Sequence, residues 1–189
     1  PSILNTLKKY FIGKSTLNNQ MIKVLHLTSW DIGNRERLQV PFLYEQISLI
    51  GEFTNSVVLQ PIHISFHRWI LKLLTQRLID RNTALWNKED NVKQYNCYLP
   101  NLPYGLLGKN YHNVLDTTSK TLLGWILARN QIKPDIIHCH VVLNQGIVAN
   151  NLGKYFNIPY VVHEHSCPLE MHLNSEKKQQ WVRQIYTGA

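Results

Sequence analysis

The sequence predicts an α/β fold built on a doubly wound parallel sheet. Three observations lead there. From Met21 onward, short apolar runs alternate with stretches of helical periodicity. The last third reads strand–helix–strand with short connections, which requires a right-handed βαβ unit. The 189 residues are 44% hydrophobic and 17% charged, enough to bury one core but too few for two full-sized domains.

Residues 1–20 stand apart from this pattern. They carry Lys8, Lys9 and Lys14 and no acid. They read as a basic extension or linker, with a surface helix through Ile3, Leu4, Leu7, Tyr10 and Phe11 as the alternative. Residues 21–189 form the domain. Ile22 to Leu27 is a strand running into a polar loop, Ser29 to Arg37. Pro41 to Leu49 is a helix, and Val57 to Leu59 a strand closed by Pro61. Trp69 to Ile79 is a helix, apolar nearly all round, with Arg68, Lys72, Arg77 and Arg81 beside it. Tyr95 to Leu99 is a strand, Pro100 to Gly108 a loop, and His112 to Asn130 a helix stopped by Lys133-Pro134. Asp135 to His140 is a strand, Gln145 to Phe156 a helix, Asn157-Ile158-Pro159 a turn and Tyr160 to His163 a strand. A last helix runs from about Asn174 to Tyr186.

Lys and Arg number 20 against 12 Asp and Glu, a net charge of +8 that favours anionic partners. Cys97, Cys139 and Cys167 form no Cys-x-x-Cys pair, so a disulfide framework is not expected. No apolar run is long enough for a membrane-spanning helix, and Pro1 to Leu4 does not open a signal peptide. Without Met at position 1, the chain is expected to be a piece of something longer, or Met21 to be the native start.

Ligands of an open parallel sheet bind beyond the carboxyl ends of its strands. Three segments fall there. Thr28 to Arg37 joins a strand to a helix start and holds two arginines, but it has neither Gly-x-Gly-x-x-Gly nor a Walker lysine. In His138-Cys139-His140 the two imidazoles share one strand face and Cys139 takes the other. His163-Glu164-His165-Ser166 follows the same arithmetic. Two His-x-His pairs with Cys167 make zinc a rival, yet no carboxylate or thiolate is spaced as in familiar zinc motifs, and no metal is expected. Nucleic acid is not expected either: the residues among the basic side chains of Trp69 to Ile79 are mostly aliphatic rather than stacking aromatics. That helix is either a core helix with solvated charges or one that meets an anionic bilayer surface.

Met21-Ile22-Lys23-Val24-Leu25-His26-Leu27-Thr28-Ser29-Trp30 resembles the opening strand of family-4 glycosyltransferases, and Phe42 to Gln46 their first helix. Lys133-Pro134-Asp135-Ile136-Ile137-His138-Cys139-His140, Gly146, and Ile158 to Ser166 resemble their acceptor-domain signature. The resemblance spans about residues 21 to 189 and is patchy between Pro61 and Asn130. It implies the N-terminal, Rossmann-like half of a GT-B enzyme, incomplete at its C-terminal end, with the donor-binding domain absent from this chain. It implies retaining transfer of a hexose from a nucleotide-sugar to a glycan or lipid-linked acceptor, in cell-surface polysaccharide or glycolipid synthesis. No cofactor is implied, and the expected location is cytoplasmic or peripheral on the inner membrane face. His165 matches the family histidine that approaches the reacting sugar. Trp30, Asn34, Arg35, His138, His140, Gly146, His163, Glu164 and Ser166 are the expected acceptor or cleft residues. Val40-Pro41 stands where the family often has glycine, and His163 replaces a commoner small polar residue. The isolated fragment is expected not to turn over; the alternative is a non-catalytic docking domain of the same fold.

Overall fold

The computed structural model describes residues 21–28, 41–75, 77–82, 91–101, 124, 133–165, 169, 173 and 175–189. Its strands are β1 (Lys23–Thr28), β2 (Asn55–Ser65), β3 (Ile79–Asn82), β4 (Val92–Asn101), β5 (Ile136–His140) and β6 (Tyr160–His163). Its α-helices are α1 (Pro41–Gly51), α2 (Phe66–Leu74), α3 (Ile147–Phe156) and α4 (Glu176–Gly188), and a π-turn spans Val142–Gly146. The six strands lie in the order β3-β4-β2-β1-β5-β6. Every pairing is parallel except β3 with β4. This is the expected α/β, Rossmann-like sheet.

Alternation sends the two sides of each strand to different layers. Leu25 and Leu27 of β1, Val57 and Leu59 of β2, and Ile137 and Cys139 of β5 join one core. Val148, Ala149 and Leu152 of α3 and Val182 and Ile185 of α4 close it. On the opposite side Ile22, Val24 and Ile136 cluster with Ile50 of α1. Helices therefore cover both faces. The chain leaves β1 toward β2 in one direction and reaches β5 in the other, so the topological switch lies between β1 and β5. Lys23 N donates to Asp135 Oδ2 at 2.9 Å, and Asp135 N to Lys23 O at 2.8 Å, fixing the start of that pair.

Several boundaries differ from expectation, each for a physical reason. Pro61 does not end β2. Pairing with β1 stops at Leu59, so beyond it β2 has, among the described residues, a neighbour only in β4, and the missing N–H of Pro61 breaks no ladder bond there. Pro100 lies inside β4 for the same reason, past the last β3 pair at Cys97. The helix expected over Trp69 to Ile79 spans Phe66–Leu74 instead. Thr75 closes it, its N–H bonding Leu71 O at 3.0 Å and its hydroxyl bonding the same oxygen at 2.8 Å. Ile79 then starts the edge strand β3, which the sequence reading did not anticipate. The expected helix at His112 to Asn130 lies outside the described residues apart from Gly124, as does the extension 1–20.

Candidate functional site

Register builds the site. Thr28, His140 and His163 are successive partners across β1, β5 and β6, and His26, His138 and Val161 form the row beneath. Strand parity puts all of these on the face opposite the α3–α4 core. Buried parallel strands normally read as continuous apolar runs. Here the α1 side instead carries buried polar groups: His26, Thr28, Ser56, Gln60, Gln94, His138 and His140. His165 continues two residues beyond β6, half-buried, with its ring 5.0 Å from that of Phe42 in α1.

The imidazoles join a directed chain of hydrogen bonds. Thr54 Oγ1 donates to Ile50 O at 2.8 Å, which uses its only proton. Ser56 Oγ, 2.9 Å away, must then donate to Thr54. Ser56 Oγ in turn accepts from His26 Nε2 at 3.1 Å. A neutral His26 protonated on Nε2 has its lone pair on Nδ1, which accepts from His140 Nε2 at 3.1 Å. By the same logic His140 Nδ1 accepts from His165 Nε2 at 3.3 Å. One backbone carbonyl thus sets the tautomer of three histidines, and the lone pair of His165 falls on Nδ1. The chain ends at a carbonyl that cannot release a proton, so it orients and does not conduct.

Burial keeps these rings neutral. It holds His26 down to about 3. His138 and His140 are pushed well below the ordinary histidine value, first by burial and then by the neighbouring imidazoles. His165 is lowered to about 4 by burial and by His163, with Glu164 opposing. His163 is lowered by burial, again against Glu164. A protonated cluster would bring several cations within ring contact, since His138–His140 and His163–His165 centroids are only 4.0 Å and 4.1 Å apart.

Glu164 points elsewhere: its Oε2 accepts from Val142 N at 2.8 Å, capping the π-turn that opens α3. Between His140 and that turn, Val141 sits at φ 95°, a strained conformation for a β-branched residue. Single π-turns and such strain concentrate at functional sites. Gly146 ends the π-turn, buried, where an added Cβ would lie 3.1 Å from Ile185 Cδ1 and Cγ2; its small size serves the contact with α4. Cys139 faces the core and its Sγ donates to Val141 O at 3.1 Å, so burial keeps it a thiol. Among the described residues, Thr28 Oγ1 is buried beside this row with no hydrogen-bond partner. Trp30, Asn34, Arg35 and Ser166 lie outside the described residues.

Of the expected residues, the fold brings His138, His140, His163 and His165 together. The sequence reading did not single out His26, Thr54 or Ser56 as site residues. The available signal was a histidine inside the apolar run Lys23–Thr28, but only the register of β1 against β5 shows that it faces His138 and His140.

No family model matches the chain, and no curated protein matches its sequence. Among solved structures it is similar to one described as "Trehalose-6-phosphate from E. coli bound with UDP-2-fluoro glucose", with 8% identity and a TM-score of 0.45. The superposition covers 87% of this chain and 42% of that one, so the chain spans less than half of its length. A likeness at this level assigns no function.

Proposed function

We propose that this chain is the acceptor-side domain of a retaining glycosyltransferase of the family-4 type. It moves a sugar from a nucleotide-sugar to a glycan or lipid-linked acceptor. The observation that supports this reading is the meeting of His140 and His165, 3.3 Å apart, at the carboxyl rim of neighbouring strands beside the β1/β5 switch. Those two histidines belong to the blocks that resemble the family signature.

In this reading the donor is held by a second domain outside these 189 residues, and the transfer itself needs no metal ion. Positive charge develops on the sugar and negative charge on the leaving diphosphate. His165, neutral and fixed with its lone pair on Nδ1, accepts a hydrogen bond from a sugar hydroxyl and so orients the ring. His140 holds His165 in place, and Glu164 fixes the backbone between β5 and α3. Closure of the two domains expels water and limits hydrolysis of the donor.

The acceptor side faces a membrane in this reading. No residue of α2 is buried, and Phe66, Leu71, Leu73 and Leu74 are exposed. Arg68, Arg77 and Arg81 are exposed nearby. Apolar and basic side chains together suit an anionic lipid surface at the cytoplasmic face. No helix among the described residues is long and apolar enough to cross a membrane.

The test is sugar transfer by the complete gene product. His165→Ala should lower turnover by about ten-fold to several powers of ten while leaving folding intact. Unchanged turnover removes His165 from the mechanism, and absence of any transfer or donor hydrolysis by the wild type favours a docking domain.

A further inference from the structure

We propose that His140, His163 and His165 form a three-imidazole site for a borderline divalent cation, zinc or cobalt(II), at the carboxyl rim of the sheet. The inference goes beyond the transfer reaction, which needs no ion.

The geometry points to it in three ways. One ligand nitrogen from each of the three rings lies within 4.8 Å of the other two. His140 Nδ1 and His165 Nε2 are 3.3 Å apart. Two nitrogens bound at 2.0–2.1 Å to a tetrahedral cation stand about 3.3–3.4 Å apart, so the two nitrogens already have the separation an ion needs, and each ring must tilt by roughly 35° to aim its lone pair at an ion off the N–N line. The proton on His165 Nε2 then resides on Nδ1 of the same ring. Behind the ligands, a supporting shell already exists. A metal-bound histidine usually donates its other N–H to a fixed acceptor, which sets its tautomer and ring plane. His140 Nε2 does this toward His26 Nδ1, and His26 is anchored in turn on Ser56 and Thr54.

Position separates this trio from the deeper one. His26, His138 and His140 also bring their nitrogens together, but all three of those rings are buried. His163 and His165 are half-buried, so the rim trio meets solvent through these two ligands and only His140 is buried. Three neutral ligands leave a fourth position for water or a hydroxyl-bearing ligand, and Thr28 Oγ1, in the same row, is a buried polar atom with no hydrogen-bond partner among the described residues. An ion there engages His165, so zinc should suppress the proposed transfer.

The experiment uses the tag-free 189-residue chain, stripped with chelator and titrated with Co2+. The readout is the visible d–d absorption of a four- or five-coordinate ion, followed by displacement with Zn2+. One equivalent should saturate the signal. His163→Ala and His165→Ala should each abolish it with the circular dichroism unchanged, and His67→Ala, an exposed histidine elsewhere, should leave it intact. His26→Gln should weaken affinity by roughly 10–100-fold through the supporting shell. No saturable signal, or one that survives His163→Ala, overturns the proposal. Neither donor nor acceptor sugar is present, so failure here is distinct from failure of the transferase reading.

Discussion

Acid should unfold this protein at a pH where ordinary α/β domains persist. The perturbation is protonation of His26, His138 and His140, which are buried on one face of the sheet. Their folded pKa values lie below the ordinary 6.5, at about 3 for His26. The unfolded chain therefore binds more protons once the pH drops below 6.5. Stability is complete above that value and is lost as the pH falls toward the folded values. At about pH 5, each such histidine costs on the order of 2 kcal/mol, and three cost on the order of 6 kcal/mol. A typical domain has only about 5–15 kcal/mol in total. His163 and His165 add little to this cost, because their half-exposed rings are screened by solvent. Urea unfolding followed by tryptophan fluorescence, at a series of pH values from about 7.5 to 5, measures the effect. The midpoint should fall steeply below about pH 6, with a slope near the limit of three protons. A midpoint that holds steady to about pH 5 would refute the claim that three neutral imidazoles are sealed in this layer.

Two substitutions probe the same account from other directions. Ser56→Ala removes the acceptor of His26 Nε2 and the donor to Thr54 Oγ1, leaving buried polar groups unmatched. It should cost about 1–3 kcal/mol in urea unfolding at neutral pH, and a cost near zero would show that the chain of bonds does not hold the rings. Gly153→Ala places a Cβ 2.9 Å from Ile158 O, backbone that cannot swing away, where α3 turns back into β6. It should cost about 1–3 kcal/mol, and a neutral result would mean that this turn is looser than described.

Much of the architecture was legible because it rests on local pattern. Tyr160 to His163 was delimited by Pro159 on one side and the polar run after it on the other. Asn157 closes α3 in the left-handed conformation at φ 53°, as an Asn before Ile-Pro suggests. What the sequence hid depends on neighbours distant in the chain. Pro61 reads as a strand end until the pairing with β1 is seen to stop at Leu59, two residues earlier. Ile79–Asn82 has no strand pattern of its own and is held by β4. In the site, the spacing of His138, His140, His163 and His165 sufficed to place them on one rim. The supports of His165 come instead from β1, α1 and β2, through side chains 25 to 114 positions apart in consecutive links of the histidine chain. Nor does anything in the letters of Val141 announce a positive φ; that follows from the need to turn from β5 into the π-turn capped by Glu164.

Both the transferase reading and the cation site depend on one arrangement: His165 donating through Nε2 to His140, which donates through Nε2 to His26. Long-range 15N–1H correlation spectra of the histidine-labelled, metal-free chain at neutral pH read it directly. His26, His140 and His165 should each carry one proton, on Nε2, with Nδ1 bare. A proton on Nδ1 of His140, or rings averaging between tautomers, would contradict it.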